Sequence, residues 1–334
     1  MADLMIQTFN AIYSNAGQKI RDSEAHYYHY RVTGQGFNVS GLIGLIPHEK
    51  FASNFVVPHV QTLPDKELSY SQSLLDLRMQ INPVLLFYRG HDSLSTLLKL
   101  PEYRSEPILE KVNEGVKHQL SRIIAPKLHE TMVGLERLYV ADGHHRIKSS
   151  LLAAQYGQNA PQHCLSMLVS ADSLHIGSIN RCIKHDAHID IDQIFTQIER
   201  YWDMLETSSL DMVKNECRLY VQGRWYTLRF KKKLLENMLP FEKLHSCILE
   251  NYLLKPVFAV EDQRFDSRLQ FVPDQYDEAH LEQMIASGEV DVAICIPPLS
   301  IDELCQIADQ GYTIPPHSTY LQPKALDGMI SWGY

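Results

Sequence analysis

The sequence predicts an α+β protein built on a mixed β-sheet, and three observations carry that expectation. Short apolar runs alternate with amphipathic stretches, the rhythm of strands and helices. Cys217 to Gln222 and Trp225 to Phe230 flank Gly223-Arg224 as an antiparallel hairpin, which a purely parallel sheet would lack. The sharpest local signal, Leu138 to Ser150, reads as buried strand, tight turn and helix.

Taken in order, residues Asp3 to Tyr30 suggest a helix ending in the aromatic-histidine cluster His26-Tyr27-Tyr28-His29-Tyr30. Gly41 to Ile46 and Phe55 to Val57 read as strands. Ser71 to Gln80 reads as a helix leading into the strand Val84 to Tyr88, and Leu94 to Leu100 as a helix closed by Pro101. Glu106 to Lys127 mixes charged and apolar positions without a clear period. Strands are expected over His163 to Val169 and Leu174 to Cys182, and a helix over Ile189 to Leu205. Beyond the hairpin come a helix at Phe241 to Leu254, a strand at Arg268 to Val272 and a helix at Glu278 to Ser287. A strand at Val290 to Ile296 and a helix at Ile301 to Gln310 close the pattern. The expected organisation is an N-terminal helical and aromatic segment (1–38), a core lobe (39–185) and a C-terminal α/β lobe (186–334).

Composition narrows the function classes. With 31 basic and 40 acidic residues the net charge is −9, which does not steer a chain to a nucleic-acid backbone. Lys231-Lys232-Lys233 follows a strand and reads as a solvated edge. No apolar run reaches membrane-spanning length, and the N-terminus lacks a basic start and apolar core for export, which places the chain in the cytoplasm. Six cysteines are scattered without a Cys-x-x-Cys pair, as buried thiols of a reducing compartment would be. His26, His29, His185 and His188 have suggestive spacing but no further ligands of the kinds a metal requires.

The chemistry concentrates at Asp142-Gly143-His144-His145-Arg146. The turn dipeptide Asp-Gly ends a strand and opens a helix whose first amides lack internal partners and attract anions. Arg146, with His144 or His145, adds donors suited to phosphate or carboxylate. Asp142 could accept a hydroxyl proton, hold a metal ion or cap the helix. Loops at strand ends are where sites are built, and this one carries four ionisable residues among five positions.

Ala141-Asp142-Gly143-His144-His145-Arg146 resembles the signature of the family known as domain of unknown function 1015. The tail, Ile314-Pro315-Pro316-His317-Ser318-Thr319-Tyr320-Leu321-Gln322-Pro323-Lys324, is similar to that family's closing motif Met-Pro-x-Lys-Ser-Thr-Tyr-Phe-x-Pro-Lys. Leu165 to Arg181 and Leu244 to Leu254 also look family-like, so the resemblance runs from Val39 to the C-terminus. It implies a core similar to the ParB/sulfiredoxin fold and a relationship to the ADP-dependent free-serine kinase. On that analogy Asp142 and His145 would be catalytic. Gly143, His144, Arg146, Arg181, Ser318, Thr319 and Lys324 would meet phosphate, with ADP or ATP and magnesium as cofactors. The ligand would be a nucleotide, amino acid or phospho-amino acid. Arg181 can equally be read as a surface arginine.

Departures from the pattern leave two readings. The family's N-terminal Pro-Pro-Tyr-Asp motif has no counterpart here, so the N-terminus looks short by family standards. His59-Val60-Gln61-Thr62 looks like the family's His-Glu-x-Thr with valine at the acidic position, and Ser69 to Gln72 offers no arginine where one is expected. His317 stands where the family mostly has lysine. The chain is then either a phosphotransferase of a small serine-like hydroxyl substrate, or a nucleotide-binding protein that kept the pocket and lost the base.

Overall fold

The computed structural model describes residues 22–24, 26–90, 92–156, 160–184, 190–207, 212–315 and 317–334. They divide into two compact units. The first holds the described residues up to His175 together with Pro323–Tyr334, and the second is Ile176–Gln322. The boundary expected at 185/186 falls on residues outside the description. The chain changes unit earlier because the strand after His175 already belongs to the second sheet.

In the first unit the strands are β1 (Tyr28–Gly34), β2 (Phe37–Pro47), β3 (Val56–Val57), β4 (Met79–Gln80), β5 (Val84–Tyr88), β6 (Leu109–Asn113), β7 (Val116–Arg122), β8 (Leu138–Asp142) and β9 (His163–Ser170). Eight of these form one sheet in the order β3-β8-β5-β9-β2-β1-β7-β6. It is mixed: β3/β8 and β5/β9 run parallel, the other neighbours antiparallel. The longer helices are α1 (Pro64–Leu77), α2 (Asp92–Lys99) and α3 (His144–Tyr156), and α1 packs against α3. Leu42, Val84, Leu86, Leu138, Val140, Ile147 and Leu168 share the core beneath them. Because β8 and β5 are buried along nearly their whole length, they read in the sequence as continuous apolar runs.

The chain continues through β10 (His175–Gly177) into β11 (Ile179–Ile183), β12 (Trp202–Glu206), β13 (Glu216–Val221), β14 (Arg224–Phe230), β15 (Leu269–Pro273), β16 (Val292–Cys295) and β17 (Tyr320–Gln322). Six of them form an antiparallel sheet, β12-β14-β13-β16-β11-β15. Helices α4 (Ile191–Ile198), α5 (Glu278–Ala286) and α6 (Ile301–Asp309) belong to this unit. Its core gathers Ile183, Ile198, Trp202, Leu219, Phe230, Leu253, Val292 and Ile294. The last strand, β18 (Trp332–Gly333), pairs with β4 in the first unit.

The α+β class expected from the sequence stands, with local corrections. Residues 1–21 of the expected N-terminal helix lie outside the description, and Tyr28–Tyr30 belong to β1. The helix expected at Ser71 begins at Pro64, a residue well suited to a first helical turn, and ends at Leu77, capped by Arg78 in left-handed angles (φ 49°). Glu106 to Lys127 contains the hairpin β6–β7, turned by Glu114 and Gly115, both at positive φ. The helix expected to reach Leu205 stops at Ile198, and Trp202–Glu206 pairs with β14 instead. No helix among the described residues is long and apolar enough to cross a membrane. All six cysteines are buried free thiols.

Candidate functional site

The site is assembled where β8 hands over to α3. Leu85 of β5 stands opposite Asp142 and Leu86 opposite Val140, so a register shift leaves Ala141 as an extra residue just before the strand end. Gly143 follows at φ 99°, and a Cβ there would come within 2.9 Å of Val84 Cγ1 and 3.0 Å of the Arg146 guanidinium. Glycine is required on both counts, by backbone angle and by space. Helix α3 then starts at His144 with three polar side chains in its first turn.

Asp142 is shared between two cations. Its Oδ2 accepts from Arg146 Nη2 at 2.5 Å and its Oδ1 from Lys324 Nζ at 2.8 Å. The arginine is also held from behind, Nη1 donating to the carbonyls of Pro83 (2.8 Å) and Asn82 (3.3 Å). All three charged side chains keep partial access to solvent: 30% for Asp142, 31% for Arg146 and 46% for Lys324. Burial alone would raise the Asp142 carboxyl, but the Arg146 and Lys324 charges outweigh it and hold the group below its ordinary value. One carboxylate against two cations leaves the trio net positive at the positive end of a helix dipole.

The two histidines act on a neighbouring segment. His144 Nε2 accepts the His59 amide (3.4 Å) and His145 Nε2 accepts the Leu63 amide (3.0 Å). An amide can only donate, so each neutral ring carries its proton on Nδ1. The His59 ring is fully buried, edge-on to His144 at 4.7 Å between centroids. Burial, then the charges of His145 and Arg146, push His144 down to about 3, and burial holds His59 well below the usual range. His145 is lowered by burial and Lys66, with Glu67 opposing.

The structure brings Asp142, Gly143, His144, His145, Arg146 and Lys324 together as neighbours. It brings the His59-Val60-Gln61-Thr62 segment to the same place through the His59 and Leu63 amides, and Val60 is half-buried there. The remaining candidates belong to the second unit. Arg181 is fully enclosed on β11, so it is not a surface residue. Its Nε donates to Gln263 at 3.0 Å, its Nη1 to the Ile179 carbonyl, and burial lowers it to about 10. Ser318 is buried and donates to the Pro315 carbonyl at 2.7 Å, and Thr319 is half-buried. His26 shows no link to the site, His29 is buried in β1, and His185 and His188 lie outside the described residues.

Two residues were missed. Glu67 accepts from Thr62 Oγ1 and its charge reaches His145. It stands at the fourth residue of α1, and the Pro64 start would have exposed it had the helix not been begun at Ser71. Asn82, which holds Arg146 through its carbonyl, carries no sequence signal beyond its place before Pro83. Both Asp142 oxygens are engaged by cations, and no group of three possible His, Cys, Asp or Glu ligands occurs among the described residues.

No curated protein matches the sequence. Among solved structures, a free serine kinase in complex with AMP is 12% identical, with 94% of this chain and 95% of that chain covered at a TM-score of 0.48. A conserved hypothetical protein from Pyrococcus furiosus is 12% identical, covering 85% and 94%, at 0.46. SbnI from Staphylococcus aureus, truncated at its C-terminus, is 12% identical, covering 85% of each chain, at 0.47. The family model described as protein of unknown function DUF1015 matches residues 8–255, more than half of the chain, and the chain belongs to that family.

Proposed function

We propose that the β8–α3 turn binds the phosphates of a nucleotide, and that the protein transfers a phosphoryl group between that nucleotide and a small hydroxyl substrate. The observation that carries this reading is Asp142 held between Arg146 and Lys324 at the opening of α3. A guanidinium braced by two backbone carbonyls offers a fixed fork, the lysine a mobile point charge, and the helix its first amides. Phosphoryl transfer depends mainly on such positioning and charge neutralisation, with little covalent work for the protein. Asp142, kept ionised, orients the hydroxyl rather than serving as a strong base, and His145 donates through Nδ1. The motif resemblance selects ADP and serine as the first pair to try.

A second reading, binding without transfer, is favoured by Val60. Valine cannot take a proton, and it sits in the segment whose flanking amides His144 and His145 hold. Calorimetric titration with ADP and ATP, followed by turnover with and without serine, separates the two. Nucleotide binding with serine-dependent turnover supports the enzyme, and binding with no turnover supports the second reading. In the latter case Val60→Glu should raise the rate, since a general base contributes a factor of about 10² to 10⁴. Failure to bind any nucleotide or inorganic phosphate overturns both.

A further inference from the structure

Asn82 faces two ways. Its main-chain carbonyl, with that of Pro83, takes the Arg146 Nη1 donor. Its side chain closes a two-point contact with the C-terminal segment of the same unit. Nδ2 donates to Asp327 Oδ1 at 2.7 Å, and Oδ1 accepts the Gly328 amide at 3.2 Å. That segment is the one bearing Lys324, the other cation on Asp142.

The rest of the segment is fastened along the first unit. The Leu326 amide donates to the Tyr30 hydroxyl at 2.9 Å, and that hydroxyl pairs with His118 Nδ1 at 3.0 Å. Met329 is buried, Trp332 and Gly333 pair with Gln80 and Met79, and the Tyr334 hydroxyl donates to the Leu74 carbonyl at 2.7 Å. The pairing of β18 with β4 ends two residues before Asn82, so the docked segment and the arginine brace are parts of one short stretch, 79–83.

We propose that Asn82 is a positioning residue that couples the docked C-terminal segment to the anion site, keeping Arg146 and Lys324 aimed at the same ligand. Lys324 is three residues from Asp327, within reach of one anchor, and Arg146 is held by the backbone of the residue that makes that anchor. If the anchor is lost, the lysine drifts from Asp142 and the arginine brace loosens together. The inference rests on reading the β8–α3 turn as an anion site, and its test has one arm that needs no ligand.

The test compares the parent protein with Asn82→Asp, Asp327→Ala and the exchange Asn82→Asp/Asp327→Asn. Asn82→Asp removes the amide donor and sets two carboxylates against each other. The exchange restores a hydrogen bond with donor and acceptor reversed. Without ligand, the reactivity of the Lys324 amine toward acetic anhydride is read by mass spectrometry against the other lysines. With ADP as probe, affinity is read by calorimetry.

Asn82→Asp and Asp327→Ala should raise Lys324 labelling several-fold and weaken ADP about tenfold. The exchange should return both readings to the parent values, which a residue important only for general stability would not show. Parent-like labelling in both single variants, or an exchange that restores neither reading, overturns the coupling. A parent that binds neither a nucleotide nor inorganic phosphate overturns the anion-site reading, while the labelling arm still decides whether Asn82 anchors the segment. Asp327 is exposed, so Asp327→Ala keeps the test alive if Asn82→Asp does not fold.

Discussion

Arg146 and Arg181 are both arginines at family-like positions, yet the molecule uses them in opposite ways. Arg181 lies mid-strand on β11, between Phe271 and Ile294 of its neighbours, with its guanidinium over the Phe271 ring at 5.2 Å. Its donors are taken up by Gln263 and the Ile179 carbonyl, and Gln263 in turn donates to Glu250 at 2.9 Å. Arg146 sits at a strand end, partly open to solvent, braced by carbonyls on one side and sharing a carboxylate on the other. The difference teaches that residue type gives the chemistry on offer, while its place on the strand decides whether that chemistry faces a ligand or the core.

The largest effect expected from this contrast is on stability. Arg181→Ala should destabilise the second unit by about 3 kcal/mol, because it empties a fully buried site and leaves the Gln263 side-chain carbonyl and the Ile179 carbonyl without their donor. Arg146→Ala should change stability far less. Urea unfolding followed by segment-resolved hydrogen exchange would check this. A near-neutral Arg181→Ala would show that Gln263 and Glu250 find other partners.

The units should also part company in acid. Burial holds His29 at about 4 and His144 at about 3, and depresses His48, His59, His118 and His145, all in the first unit. In the second unit burial lowers His245. Each of these folded values lies below the unfolded value near 6.5, so the unfolded chain takes up the proton first. The stability they confer is complete above pH 6.5 and is lost as pH falls toward 3. His29 alone, fully enclosed, represents about 3 kcal/mol across that window. Amide exchange in β1, β2 and β8 should therefore accelerate at pH 4.5 before exchange in β13 and β16. Simultaneous acceleration would mean that the first unit's histidines do not govern its acid response.

At the site itself, Arg146→Ala should weaken ADP by roughly thirtyfold, the worth of one charge-assisted pair with phosphate, about 2 kcal/mol. Calorimetry reads it directly. An unchanged affinity would make Arg146 a brace for the β8–α3 turn, no different in kind from Arg181.

Much of this was legible in the sequence because it is local. An apolar run, Asp-Gly and a helical period specify strand, turn and helix within thirteen residues, and the fold keeps them so. The strands missed were those whose apolar signal is weak or shared with a helix. β6 exposes most of its residues at a sheet edge, and Trp202–Glu206 continues the apolar period of α4 before joining β14. The roles of His144 and His145 were not legible either. Their Nε2 atoms hold amides more than eighty residues away in sequence, a pairing that only the packing of α1 on α3 creates. Arg181 was ambiguous for the same reason, since Gln263 and Glu250 reach it from distant parts of the chain.

Lys324→Ala should have the smallest effect, and it tests what kind of cation each partner of Asp142 is. The pair is exposed on the lysine side, so its loss should cost no more than about 1 kcal/mol of stability. Asp142 loses one of the two charges that outweigh its burial, so its carboxyl should titrate at higher pH than in the parent. Phosphate affinity should fall, but less than in Arg146→Ala, because a flexible ammonium offers a single charge where the braced guanidinium offers a fork. The affinity that remains should also depend less on salt, since the more exposed of the two charges has gone. A carbon-13 titration of the Asp142 carboxyl and an ADP titration at two salt concentrations measure all three. If Lys324→Ala weakens ADP as much as Arg146→Ala does, the brace on Arg146 adds nothing to recognition, and the distinction between a held and an unheld cation fails at this site.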